Sequence, residues 1–182
     1  METPADEAPL ILVDAADRVL GYLDRDRCHD GDGILHRAFS VLVFDSEERL
    51  LVQRRSASKR LWPHYWSNTC CSHPRRGQDT LVAATERLRH ELGLDVPLQF
   101  LYQFEYRARF ADAGSEHELC SVFAGRAATG VSVQANPEEV SAHCWLLPTE
   151  VDAWFLDRER RLTPWFAQEW QRIRTQHREW VR

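Results

Sequence analysis

Three histidines, two glutamates and one cysteine are the residues of this chain whose types and spacing suit chemistry. Glu116 and Glu118 stand two apart, so on an extended strand both carboxylates leave the same face. Carboxylates crowded in this way raise each other's pKa unless a cation lies between them. His29, His36 and His73 add three nitrogen donors. Three imidazoles and two carboxylates suit a divalent metal with one coordination position left open. Taken singly, each histidine reads as an ordinary core or surface residue, and spacing alone does not join them.

Cys71 precedes Ser72-His73-Pro74. Beside a bound cation and several arginines its thiol is expected to have a lowered pKa and to exchange protons near neutrality. The plainer reading is a buried, inert cysteine. Cys70 is expected to point the opposite way on an extended backbone. A hairpin with its tip at Ala111–Gly114 sets Tyr106 nearly opposite Glu118, where phenol and carboxylate can share a hydrogen bond and handle a proton together. Arg87 and Glu91 are four apart and neighbours on a helix. They read either as a surface ion pair or as an arginine for phosphate beside a carboxylate for a phosphate-bound Mg2+. Arg54, Arg55, Lys59, Arg60, Arg75 and Arg76 fall in a stretch, 54–76, without one acidic residue. Such a patch suits a small anionic ligand such as a phosphate or diphosphate.

Several elements must position these groups. Residues 10–13 and 19–23 read as a small hairpin. Residues 24–35 read as a polar loop holding His29, and 37–44 and 49–53 as strands around an Asp-Ser-Glu-Glu turn. Residues 54–78 form a long loop of the length that is usually functional. A helix is predicted over 80–92, capped by Asp79 or Thr80, stopped at Gly93, with Leu81, Leu88 and Leu92 as its apolar stripe. Residues 100–110 and 116–125 form the long hairpin, and 140–147 a further strand. A helix starts near Pro148, and another runs from about Pro164 to the end with Trp170, Ile173, His177 and Val181 at helical spacing. Strands outnumber helices and the helices lie late. The expected class is α+β, a mixed β-sheet core flanked by helices.

The 182 residues are 43% hydrophobic and 28% charged, enough for one packed domain over 1–182 with a loose tail at 1–9. A net charge of −5 argues against general nucleic-acid binding. The apolar runs are too short to cross a bilayer, and an acidic N-terminus is the wrong charge for targeting. A cytoplasmic protein without a membrane or nucleic-acid partner is expected. Five cysteines, an odd number with a vicinal pair, read as thiols and not as a disulfide framework.

Several segments occur together in one order: His36-Arg37-Ala38-Phe39-Ser40, residues 54–59, Trp62-Pro63, Trp66 to Pro74, Tyr106-Arg107-Ala108, Glu116 to Cys120, and Thr163-Pro164-Trp165. Assembled, they resemble the type I isopentenyl diphosphate isomerases, a branch of the Nudix superfamily, over nearly the whole chain. The resemblance implies a Nudix-like fold. It also implies interconversion of isopentenyl and dimethylallyl diphosphate through a tertiary carbocation, for isoprenoid precursor supply. By resemblance His29, His36, His73, Glu116 and Glu118 match the ligands of a divalent metal, whether Mn2+, Mg2+ or Zn2+. Glu91 matches the carboxylate for a diphosphate-bound Mg2+. Cys71 matches one catalytic acid/base, and Glu118 with Tyr106 the other; Trp165 matches the aromatic that shields the hydrocarbon end. Arg55, Lys59 and Arg87 match diphosphate contacts, and Arg25 stands where a lysine is expected. A small isoprenoid diphosphate is the implied partner, with the chain a monomer or weak homodimer.

Two departures bear on this expectation. Ser72 replaces an expected glycine, so its backbone must avoid positive φ or accept strain. The Nudix carboxylate cluster is depleted: Ser72 and Gln78 stand where its first Gly and Glu belong, and among the later positions only Glu91 remains. That depletion weighs against the alternative of a Nudix hydrolase acting on a nucleoside or isoprenoid diphosphate. A non-catalytic metal-binding or interaction module is the third reading.

Overall fold

The structure, a computed structural model, describes residues 8–181. The loose tail expected at 1–9 thus lies, over its first seven residues, outside the described residues. The chain forms β1 (Leu10–Val13), β2 (Val19–Leu23), α1 (Arg25–His29), β3 (His36–Phe44), β4 (Leu50–Arg55), β5 (Trp66–Ser67), β6 (Cys70–Ser72) and α2 (Thr80–Leu92). It continues through β7 (Leu98–Phe110), β8 (Gly114–Arg126), β9 (Val140–Leu146), α3 (Pro148–Leu156) and α4 (Pro164–Gln176), with a 3-10 turn at Arg178–Trp180.

β3 is the hub of a mixed sheet. It pairs parallel with β8 from His36↔Glu118 to Phe44↔Arg126, and antiparallel with β1, β4 and β6. β7 pairs antiparallel with β8, and β9 with β4. This is the expected α+β architecture.

Because strand side chains alternate faces, β3 serves two cores at once. Ala38, Leu42 and Phe44 face a layer containing Trp165, Phe166, Trp170 and Ile173 of α4. Phe39, Val41 and Val43 face the layer of Leu88 and Leu92 on α2. His36 and Ser40 share the parity of the first set and so point to the α4 side, as do Glu116, Glu118 and Cys120 along β8.

α2 has the predicted limits. Asp79 caps it by accepting from Leu81 N and Val82 N, and Gly93 ends it in the left-handed region at φ 66°. Leu81, however, is 41% exposed; Ala83, Ala84, Leu88 and Leu92 form the buried stripe. Three other expectations are corrected. The segment holding His29 is not all loop, since Asp24 caps a short helix there. The 54–78 loop contains β5 and β6. The last helix stops at Gln176, not at the terminus. Among the described residues no helix is long and apolar enough to cross a membrane.

Candidate active site

α1 delivers His29, the start of β3 delivers His36, the exit from β6 delivers His73, and β8 delivers Glu116 and Glu118. One ligand atom from each of the five lies within 4.8 Å of all the others, about twice a metal–ligand bond length. His36 Nδ1 sits 2.7 Å from the Ile34 carbonyl; donating there leaves Nε2 as a bare lone pair. That Nε2 meets His73 Nε2 at 3.1 Å, and His73 Nε2 meets Glu118 Oε1 at 3.0 Å. His29 Nε2 and Glu116 Oε2 face each other at 2.8 Å, yet both are buried without completing a hydrogen bond. Lone pairs converging on one buried point, two of them orphaned, suit a divalent cation. The cluster fits a metal.

Electrostatics inside the cluster follow from burial and mutual contact. Burial pushes the Glu118 carboxyl up, but hydrogen bonds to His36 and His73 outweigh it and hold the group well below the usual carboxylate range. Burial lowers His73 to about 4, against the pull of Glu118. Burial also lowers His36, but Glu118 and Glu116 more than reverse this and its pKa is raised.

Tyr106 lies directly opposite Glu118 in the β7–β8 register, and its hydroxyl donates to Glu118 Oε2 at 2.7 Å. Cys71 pairs in register with Ser40 and packs toward the α4 layer. Cys70 is fully buried in the α2 layer, as the alternation of an extended strand requires. The expectation of a lowered Cys71 pKa is corrected: burial pushes the thiol up to about 12, although Arg55 works the other way. Arg55 Nη1 is 3.9 Å from Cys71 Sγ, too weak a contact to offset desolvation. The resting group is a neutral thiol.

Trp165 is buried, its indole Nε1 donating to Ser67 Oγ and Asn68 Oδ1, each at 3.1 Å. Its ring lies 5.9 Å from that of Tyr106 and edge-on to Trp62 at 5.2 Å. Trp62 itself holds φ 49°, a strained value for a bulky residue, and its carbonyl accepts from Arg55 Nε at 3.1 Å. Ser72, by contrast, is part of β6 and pairs with Phe39; it is not among the described residues with positive φ. The missing glycine therefore costs no strain.

Cys71, Tyr106, Glu118 and Trp165 line one small cavity of about 20 Å3, and Arg25, Arg55, Lys59 and Arg87 reach the same space. That volume holds about one water. It adjoins a groove of about 550 Å3 that shares Arg25, Arg55, Lys59 and Glu116 and includes His29. Glu91 lines neither cavity. It is buried on α2 and held by Arg87 Nε at 2.6 Å and Gln53 Nε2 at 2.9 Å.

Glu139 was invisible to sequence reasoning. Its buried carboxylate takes an ion pair from Lys59 and another from Arg87 Nη2 at 2.7 Å. Adjacent Glu138 offered the same residue type, and only the tertiary contact separates them. Gly114, at the mouth of the β7–β8 hairpin, holds φ 139°, and a Cβ there would collide with the His29 carbonyl oxygen. This approach seats the hairpin tip on α1.

The comparisons agree with this geometry. Residues 34–166 match the family model described as NUDIX domain. The chain is 38% identical over 170 residues to "Isopentenyl-diphosphate Delta-isomerase 1" of Photorhabdus laumondii, covering 92% of this chain and 96% of that one. It is 40% identical over 161 residues to the isopentenyl-diphosphate Delta-isomerase of Nocardia farcinica, covering 88% and 91%. A Deinococcus radiodurans crystal structure superposes with TM-score 0.74 at 21% identity, over 90% of this chain and 98% of that one. The MutT protein of Methanosarcina mazei superposes with TM-score 0.64 at 13% identity, over 79% and 95%. These last two identities speak for the fold alone. Identity at this level across nearly the full length of both chains, on a Nudix scaffold, places the protein in the isopentenyl-diphosphate Delta-isomerase family.

Proposed function

We propose that this chain interconverts isopentenyl diphosphate and dimethylallyl diphosphate by moving a proton on and a proton off carbon. The observation that carries this reading is that Cys71 and the Tyr106–Glu118 pair, from different strands, border one small cavity. A 1,3 shift of a double bond needs an acid and a base at two carbons of one small substrate, and this arrangement supplies both.

An unactivated double bond must be protonated at its terminal methylene, giving a tertiary cation. Tyr106, hydrogen-bonded to Glu118, is positioned to pass that proton. Cys71 handles the proton on the neighbouring carbon. As the neutral thiol it is the donor in the reverse direction. In the forward direction it accepts that proton as a thiolate, its own proton having first moved to Glu118, from which it is passed through Tyr106 to the methylene. Trp165 excludes water, which would trap the cation, and offers its π face to positive charge. Arg25, Arg55, Lys59 and Arg87 bind the diphosphate, fixing the hydrocarbon end between the two proton-handling groups. A divalent metal held by His29, His36, His73, Glu116 and Glu118 would supply charge neutralisation and fix the orientation of Glu118. Glu91 would hold a diphosphate-bound Mg2+ by exchanging its contacts with Arg87 and Gln53 for the ion. The His/Glu cluster accepts Mn2+, Mg2+ or Zn2+ by donor type.

Hydrolysis is disfavoured by the same region. Gln78 is bonded to Glu86 at 2.7 Å in an exposed position, and Glu91 is already held by Arg87 and Gln53. No gathered set of carboxylates is left on α2 to activate water.

The test is incubation of pure, metal-replete protein with isopentenyl diphosphate, Mg2+ and Mn2+, following product by NMR. The dimethylallyl isomer is expected. Unchanged substrate, or released phosphate in its place, rejects the reading.

A further inference from the structure

Behind the cavity sits a carboxyl group that the proposed reaction does not use. Glu169 lies on α4 one turn beyond Trp165, so the two side chains share a helix face. It is fully buried, and neither of its carboxyl oxygens has a hydrogen-bond partner. Such an orphan is rare in a folded protein. A carboxylate charge without donors costs far more to bury than the neutral acid does.

Its surroundings include two groups that line the cavity, Cys71 and Glu118, and residues that pack behind them. Ser40 faces it from β3; Ser40 is the register partner of Cys71 and accepts from Asn68 Nδ2 at 2.8 Å. Asn68 in turn accepts from the Trp165 indole. The titratable and charged groups facing Glu169 are Cys71 from β6, Glu118 and Cys120 from β8, and Tyr102 from β7. On its own helix Arg172 lies three residues on, stacked over the rings of Tyr102 and Phe104.

We propose that Glu169 is a positioning residue which, as the neutral acid, lets α4 press Trp165 against the Ser40–Cys71 wall, and that its ionisation loosens the pocket. The inference rests on the isomerase reading for the pocket's use, though not for the state of the carboxyl. Burial moves Glu169 up to about 8, with Glu118 adding in the same direction and Ser40 opposing. Loosening thus belongs to mildly alkaline solution.

The experiment measures kcat/KM for isopentenyl diphosphate with Mg2+ from pH 7 to 9, in wild type and Glu169→Gln. One ionisation near pH 8 predicts about a tenfold fall in the wild type and a fall of less than about twofold in the variant. Parallel falls overturn the proposal. Melting temperatures of the metal-replete proteins at pH 6 and 8.5 give a second readout. The wild type should lose stability relative to the variant as pH rises, because folding then requires an acid with a raised pKa to stay protonated. A constant offset, the mark of a merely structural role, also overturns the proposal. If Glu169→Gln does not fold, Glu169→Met supplies the same neutral comparison. Absence of isomerase activity at every pH would sink the functional reading, while the melting comparison would still judge Glu169.

Discussion

Tyr106 and Glu118 are directly opposed across an antiparallel ladder and joined by a 2.7 Å hydrogen bond from phenol to carboxylate. The other carboxylate oxygen is committed to His73 at 3.0 Å, so Glu118 links the Tyr106 phenol to the His/Glu cluster. Replacing Tyr106 by Phe keeps the ring, which packs on Phe104 and Trp165, and removes only the donor. A fall in kcat of about 100- to 10,000-fold is expected with KM nearly unchanged. Steady-state kinetics check it, and an equal loss in KM would point to a binding role.

The vicinal cysteines give a matched pair of variants. Cys71→Ser should lower turnover by orders of magnitude, because a hydroxyl is a much weaker acid than a thiol and gives up its proton far less readily to leave a base behind. Cys70→Ser should leave turnover within about threefold. It places a hydroxyl in the α2 layer, where Cys70 is fully buried, and should cost about 1–3 kcal/mol of stability. Denaturant unfolding and turnover, measured together, separate the two effects.

Glu139 holds Lys59 and Arg87 at one point. Without that carboxylate the two cations repel and lose their common geometry. Glu139→Gln should therefore raise KM, and weaken inhibition by inorganic diphosphate with Mg2+, by about tenfold. The value of kcat should stay within about threefold. Inhibition constants report this directly, and tighter diphosphate binding would contradict it.

His73 carries a sign that acid titration can read. Its folded pKa is lowered to about 4 by burial, against an ordinary value near 6.5 in the unfolded chain. Between pH 6.5 and 4 the unfolded chain binds the extra proton, so His73 costs the folded state stability as pH falls. In metal-free protein the stability advantage of wild type over His73→Gln should shrink across that window, by on the order of 3 kcal/mol. Urea unfolding at several pH values measures it. Saturating Mn2+ should abolish the trend, since a bound ligand excludes the proton.

Much of this site was legible because short-range rules determine it. The Ala111–Gly114 tip sets the register that opposes Tyr106 to Glu118, and Asp79 and Gly93 mark the limits of α2 through capping. The period of two along β8 puts Glu116 and Glu118 together. What escaped depends on distant contacts. A five-residue helix, α1, has too few residues for a periodic signal, and β5 and β6 are held by β4 and β3 and not by their own propensity. Leu81 fits the helical stripe but falls outside the buried face because α2 meets the sheet through Ala83 and Ala84. The Cys71 thiol was misjudged because nearby arginines are visible in sequence and burial is not. Glu139 and Glu169 look like any other surface glutamates until the fold encloses them.

The hairpin tip carries a further consequence. Gly114 touches the backbone of the helix that ends in His29, with no room for even a methyl group. A bare alpha carbon on one strand thereby sets how closely the hairpin tip approaches the segment that carries His29. An alanine at this position would have to push the His29 backbone away from the hairpin, so a single hydrogen atom limits how closely these two segments pack.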